Sequence, residues 1–277
     1  MENTSLNKKF DESCLDKGYN LNLLEFSKKL KENKSDIPIL YRYSPGDYNN
    51  IRNLETQTIF LSEVGSMNDV FEGLSSEVET EFNGLLEYLG KLVSLKSFSE
   101  KSNDLKMWSQ YADSYAGMCV AYDLTGINDD LIYHLFPITY SNTRRGNKKL
   151  TCALRCLEKK LKNEDCDEFF LQDIISLFLV KPKCWENEKE WRIIFSWLQL
   201  NKSADEIICD KEEEILYKYD ENIIDFPYAK AIYLGPKMPK NKKQHISDIG
   251  KKLNVPVYEM VLSQTEYKLE EKIYLSD

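Results

Sequence analysis

The segment from Trp185 to Trp197 constrains this chain most, because charge and apolar bulk alternate along it. The run Trp185-Glu186-Asn187-Glu188-Lys189-Glu190-Trp191-Arg192-Ile193-Ile194-Phe195 reads as one extended strand. Successive strand side chains point to opposite faces. Glu188, Glu190 and Arg192 therefore share one face, and Trp191, Ile193, Phe195 and Trp197 share the other. A sheet that buries the aromatic and aliphatic face must aim the charged face at water or at a cleft. Two carboxylates about 7 Å apart on a cleft wall suit acid–base work or the stabilisation of a cation. Trp185 and Trp191 flank them and lower the local dielectric, which strengthens charge contacts. The bland alternative is a solvated charged face.

The rest of the pattern predicts an α+β chain. Leu23, Phe26, Ser27 and Leu30 fall at helical spacing, whereas Ile37 to Tyr43 reads as a strand ended by Ser44-Pro45-Gly46-Asp47. A helix over Tyr48 to Leu54 and a strand over Thr58 to Leu61 follow. Helical period returns from about Ser76, through Phe82, Leu85, Leu86, Leu89 and Val93. Strands are predicted over Leu95 to Glu100, Met118 to Asp123, Pro137 to Tyr140, Ala229 to Leu234 and Val255 to Val261. Helices are predicted over Asp104 to Ala112 (capped by Asn103 or Asp104), Thr125 to Leu135, Leu150 to Val180 (as two) and Lys240 to Leu253. No regular βαβ repeat appears, so a doubly wound sheet is disfavoured. The simplest account is one α+β domain over residues 37–277, with a mixed or split antiparallel sheet flanked by helices. A helical N-terminal extension covers residues 1–36, and a helical insertion lies near residues 147–180.

Composition excludes several functions. A formal net charge of −9 argues against a broad nucleic-acid surface or attachment to anionic membrane. The basic runs Arg144 to Lys149 and Lys240 to Lys243 read as solvated loops. No apolar run approaches the ~20 residues of a membrane helix, and the N-terminus lacks a signal pattern. Seven cysteines without a Cys-x-x-Cys pair read as reduced thiols in a cytoplasmic protein. Two histidines, His134 and His245, sit in no motif, which counts against His-dependent triads and His-rich metal sites. Neither a Gly-x-Gly-x-x-Gly fingerprint nor a P-loop occurs.

Besides the acid strand, two segments carry polar groups on strands that should be apolar, and a helix follows the second. Arg42 sits mid-strand among Tyr41 and Tyr43, and a planar guanidinium suits phosphate or carboxylate. Ser97 and Ser99 share a face in Lys96-Ser97-Phe98-Ser99-Glu100, with hydroxyls that can orient a ligand or a carboxylate. Trp108 and Tyr111 share a helical face and suit either an aromatic wall for a planar ring or core packing.

Taken in order, these pieces resemble a widely distributed bacterial family known as a domain of unknown function, often found beside phage-defence (abortive infection) genes. The resemblance rests on Leu40-Tyr41-Arg42-Tyr43, Asn68-Asp69-Val70-Phe71-Glu72, Ser97-Phe98-Ser99-Glu100, Met107 to Ala112, Gly117-Met118-Cys119-Val120, Trp185 to Arg192 and Ile232-Tyr233-Leu234-Gly235. Val70 departs from it, standing where the family usually has a proline. More distantly, arginine on an early strand, Ser-x-Ser on a middle strand and Glu-x-Glu on a late strand resemble the Arg–Ser–Glu type of ADP-ribosyltransferase. That resemblance implies an ADP-ribosyltransferase-like fold and NAD as substrate, with no metal. It implies that Arg42 holds NAD phosphate, and that Ser97 and Ser99 position the nicotinamide ribose and the acid. Glu190 would stabilise the ribosyl cation and Glu188 orient or deprotonate the acceptor, while Tyr41, Trp108 or Tyr111 stacks on nicotinamide. The acceptor (protein, nucleic acid, small molecule or water) is left open, as is a toxin role.

Two alternatives stand beside it. A nuclease or phosphoesterase would use Glu188, Glu190 and Asp69 or Glu72 around a divalent metal. A non-catalytic sensor or protein-binding module would use Glu188, Arg192 and Arg42 as a structural ion-pair network, and an acidic, Tyr-rich surface suits a protein partner. The transferase needs Arg42, Ser97 and Glu190 around one pocket. The metal site needs three or more carboxylates within ligand distance, and a structural network would leave no pocket beside the acids.

Overall fold

A computed structural model describes residues 23–64, 67, 69, 85, 90, 93–142, 148–162, 174–196 and 222–275. Glu72, Trp197, residues Arg144 to Asn147 of the first basic run and most of the helix expected from Ser76 lie outside them.

The chain is α+β, built on a mixed nine-stranded sheet. In chain order the strands are β1 (Leu40–Ser44), β2 (Thr58–Phe60), β3 (Ser62–Glu63), β4 (Val93–Ser99), β5 (Met118–Tyr122), β6 (Leu135–Pro137), β7 (Thr139–Ser141), β8 (Val180–Pro182), β9 (Glu190–Ser196), β10 (Ile223–Asp225), β11 (Ala229–Leu234), β12 (Val257–Leu262) and β13 (Leu269–Ile273). The main sheet runs β13-β12-β11-β5-β1-β4-β9-β6, with β3 also on β4. Among the described residues, only β11 and β12 pair parallel within it. Two small sheets, β10-β2 and β7-β8, stand beside it.

The α-helices with described bounds are α1 (Leu23–Glu32), α2 (Tyr48–Glu55), α3 (Leu105–Tyr111), α4 (Lys148–Leu161) and α5 (Lys240–Leu253). Each has a local cause. α1 buries Leu23, Phe26, Ser27 and Leu30 along one stripe. Asp47 caps α2 by accepting from Asn50 N at 2.8 Å. Asp104 caps α3 by accepting from Lys106 N and Met107 N at 2.9 and 3.2 Å. Asn254 ends α5 in the left-handed region, at φ 55°.

Alternation along the strands divides the core in two. The larger part packs Leu40, Val120, Tyr122, Phe98 and Trp191 against α1, α2, α4 and α5. The smaller part packs Tyr43, Cys119, Ala121 and Tyr233 under Met107 and Trp108 of α3. α1 is part of the larger core: Phe26 lies 6.1 Å from Phe136 and 6.5 Å from Trp191, ring centre to ring centre.

The acid strand differs from its expected form at its start. It begins at Glu190, because Lys183–Glu188 coils into a 3₁₀ helix and Lys189 turns out of it at φ 47°. Of the two expected surroundings of its charged face, water or a cleft, it is not water, since Glu190 is 4% exposed and Arg192 not at all. The expected helix over Thr125 to Leu135 is two short 3₁₀ turns, Leu124–Gly126 and Leu131–His134. Cys119, Cys152 and Cys184 are free thiols, but Cys156 is disulfide-bonded, so the cysteines are not all reduced. No helix among the described residues is long and apolar enough to cross a membrane.

Candidate functional site at a fork in the sheet

β4 is fully paired with β9 on one edge, from Val93↔Ser196 to Ser99↔Glu190. Its other edge is broken. β1 pairs with it only at Tyr41↔Ser99, and β3 only at Leu95 and Ser94. Between those points, Lys96 to Phe98 have no strand partner on that edge among the described residues. The sheet forks there, and a cavity of about 200 Å³ occupies the fork.

Register fixes which wall each residue supplies. Directly paired residues share a face, so Tyr41, Ser99 and Glu190 lie on one face, with Ser97 and Arg192. Arg42 and Lys96, one residue out of phase, lie on the other. Because the fork interrupts the sheet, residues of both faces line the same cavity: Tyr41, Arg42, Ser97, Ser99, Tyr111, Glu188 and Glu190 do so. Trp108 does not. It is fully buried in the smaller core, edge-on to Tyr43 at 5.4 Å, and its Nε1 donates to Ser102 O at 2.9 Å.

The carboxylate end is a continuous polar chain. Tyr111 OH donates to Glu188 Oε1 at 2.6 Å, and Lys181 Nζ donates to Glu188 Oε2 at 2.8 Å and to Glu190 Oε2 at 2.7 Å. Arg192 Nε donates to Glu190 Oε1 at 2.6 Å, and its Nη1 reaches Phe178 O at 2.6 Å. Two buried cations thus balance two buried carboxylates. Burial opposes ionisation of Glu190, but Arg192 and Lys181 outweigh it and hold the carboxyl at about 2. Burial likewise opposes the charge on Lys181, and Glu190 and Glu188 overcome it, so the amine is raised. Glu188 reaches this cluster from the 3₁₀ helix, not from the strand. The left-handed Lys189 swings it back, and Ser99 Oγ holds it there by donating to Glu188 O at 2.6 Å. Ser97 makes no hydrogen bond among the described residues, which leaves its hydroxyl available to the cavity.

The opposite face contributes cations. Arg42 Nε is buried without a hydrogen-bond partner. Burial lowers the guanidinium from its ordinary value, with Tyr122, Cys119 and Glu190 partly restoring it. Lys96 is 7% exposed and forms no hydrogen bond or ion pair among the described residues. Burial first, and repulsion from Arg42 second, push its amine well below the ordinary lysine value.

Lys96, Lys181 and Trp185 also line the wall, with the Lys181 ammonium 5.2 Å from the Trp185 ring centre. Sequence reasoning passed over both lysines. Lys96 carried the same signal as Arg42, a lone cation on an apolar strand. Lys181 carried none, because it reaches the acids through β8, a strand of three residues. Asp69 lines the cavity, but no group of three or more His, Cys, Asp or Glu among the described residues is placed to hold a metal.

Residues 107–193 match a family model described as a protein of unknown function (DUF2971). The match covers Met107 to Ala112, Gly117 to Val120 and Trp185 to Arg192. It leaves Arg42, Ser97 and Ser99 outside. No curated protein and no solved structure matches the chain.

Proposed function

We propose that this protein is an ADP-ribosyltransferase-like enzyme that cleaves NAD at the nicotinamide–ribose bond. The observation that carries the reading is the polarity of the cavity. Arg42 and Lys96 line it from one face of the sheet, and the ion-paired Glu190 lines it from the other, with Glu188 and the Ser97 hydroxyl also on the wall. NAD has the matching polarity, an anionic diphosphate joined to a sugar whose C1′ becomes cationic as the bond breaks. At about 200 Å³ the cavity is smaller than the ~300–1,000 Å³ of sites that enclose whole ligands, so it takes the reacting end of the dinucleotide.

In this reading the C–N electron pair leaves with nicotinamide. Glu190, kept ionised by Lys181 and Arg192, stabilises the oxocarbenium ion. The acceptor attacks C1′ and gives its proton to Glu188. Tyr41, Tyr111 and Trp185 supply the aromatic surface for nicotinamide. The link to phage defence or a toxin role rests on the family resemblance alone.

A second reading has one observation in its favour. Every oxygen of Glu188 and Glu190 is already engaged by Lys181, Arg192 or Tyr111, as in a structural network. A nucleotide sensor without turnover would look the same. Incubation with NAD, following nicotinamide release, separates the two. The transferase reading expects release that falls at least ~100-fold in Glu190→Gln while thermal unfolding of the variant stays cooperative. Binding without release selects the sensor. Neither release nor NAD binding by calorimetry overturns both.

A further inference from the structure

The cavity wall holds a second cation that the catalytic scheme leaves unused. Lys96 and Arg42 lie on the same face of the sheet, at the unpaired edges of the fork, and both line the cavity. The Lys96 side chain is more than nine-tenths buried and has no partner among the described residues. Beside it, the buried Arg42 Nε has no acceptor. A buried charged donor without an acceptor is costly, about 1–3 kcal/mol or more. Charging both at once costs more still, because they repel each other, and that repulsion favours the neutral amine on Lys96 in the empty site. Both costs vanish when an anion of charge two enters between them.

We propose that Arg42 and Lys96 together form a dianion subsite that holds the diphosphate of the bound nucleotide. This deepens the NAD reading and rests on it for the identity of the ligand. The planar guanidinium offers paired donors to one phosphoryl group, and the compact ammonium meets the other. Of the three carboxylates on the wall, Glu188 and Glu190 are already taken up by Lys181, Arg192 and Tyr111, and Asp69 makes no ion pair with Lys96.

A proton should accompany the ligand. Of the charges around Lys96, the one that acts on its amine is Arg42, and it repels. The other titratable groups on the wall are Tyr41, Tyr43 and Tyr111, with Asp69, Lys181, Glu188 and Glu190. None of them supplies Lys96 with an ion pair. Binding of a diphosphate reverses the sign of the local field, so Lys96 gains a proton from solvent as the anion seats.

ADP-ribose is a suitable probe for the full-length protein, because its diphosphate diester does not titrate between about pH 7 and pH 9. Calorimetric titration in two buffers of different ionisation enthalpy reads the proton count directly. The expected result is binding with uptake approaching one proton per ligand toward pH 9. In Lys96→Met the uptake disappears and the affinity falls by at least ~10-fold, with an unchanged or higher melting temperature. No binding, binding without proton uptake, or unchanged affinity in Lys96→Met overturns the subsite. These outcomes are separable from the fate of the parent reading. Proton-linked ADP-ribose binding without nicotinamide release from NAD keeps the subsite and removes the transferase. Nicotinamide release that is indifferent to Lys96→Met keeps the transferase and removes the subsite.

Discussion

Arg192 has no exposed surface, and it shares Glu190 with Lys181 inside the protein. A charge in that position is held by its partners, so removing one leaves the other buried and unbalanced. Arg192→Met is expected to cost about 3–5 kcal/mol in urea unfolding and to raise the Glu190 carboxyl from about 2. Two other buried groups make stability depend on pH. His134 stacks on Phe195 at 4.1 Å, and its Nδ1 bonds to Ile194 O at 2.9 Å. Burial lowers its imidazole from 6.5 to about 4. Below pH 6.5 the unfolded chain therefore binds a proton that the folded chain refuses until about pH 4, and stability falls across that window as pH falls. Glu190 adds a second loss lower down, between its ordinary 4.5 and about 2. The melting temperature should begin to drop near pH 6.5, and His134→Gln should keep it flat to about pH 4.5; an unaltered slope in the variant would remove His134 as the cause. The histidine effect amounts to at most about 3 kcal/mol. From the sequence, His134 was only a histidine outside any motif. Its environment is made by β9, a strand 60 residues away in sequence. Arg42 was legible because a cation among aromatics on a strand needs a local reason to be there.

At the scale of elements, the tightest joint lies between α3, β5 and β11. After α3 the chain passes through Asp113, Ser114 and Tyr115 at φ 47°, 51° and 74°, three left-handed residues in succession. Each costs about 1–2 kcal/mol for a residue with a side chain. The turn is held by Tyr115 N donating to Trp108 O at 3.1 Å, Gly117 N to Ala112 O at 2.8 Å and Lys237 N to Tyr115 O at 3.0 Å. Gly117 and Gly235 let the strands close over it. A Cβ on Gly235 would sit 2.2 Å from Tyr115 O, and one on Gly117 would sit 2.3 Å from Ser44 O. Both obstacles are backbone and cannot swing aside. Gly235→Ala and Gly117→Ala should each cost at least ~3 kcal/mol, whereas Gly126→Ala, with nothing within 4 Å of its Cβ, should stay within ~0.5 kcal/mol. Denaturant midpoints of the three variants check this, and equal midpoints would refute it. The long elements were legible: α5 spans Lys240–Leu253, as expected, β5 is apolar throughout, and β11 is apolar from Ala231 to Leu234. The start of the acid strand was not. Glu186-Asn187-Glu188 alternates like a strand, but the chain coils there because β8 and Ser99 hold Glu188 from outside the segment.

For the molecule as a whole, the sheet supplies two walls and the fork turns them into one site. That arrangement depends on pairings distant in sequence, Tyr41 with Ser99 and Ser99 with Glu190, which no local pattern specifies. The order of the three motifs was readable, but their meeting on opposite faces of a broken sheet was not. The same long-range logic applies to α1. Its stripe of Leu23, Phe26 and Leu30 read as the helix of an N-terminal extension, yet Phe26 touches Phe136 and Trp191 in the larger core. Trp191 is the residue after Glu190, and its Nε1 donates to Glu100 Oε1 at 2.8 Å, so it anchors the end of β4 to the acid strand. Loosening α1 would therefore loosen the wall behind the site. Phe26→Ala removes a buried ring and should cost about 3–4 kcal/mol. Because helix and sheet share one core, the loss should appear as a single cooperative transition at lower temperature, followed equally by far-ultraviolet circular dichroism and by tryptophan fluorescence. If α1 folded as a separate appendage, the tryptophan transition would stay where it is in the unaltered protein, and only a small part of the helical signal would melt early.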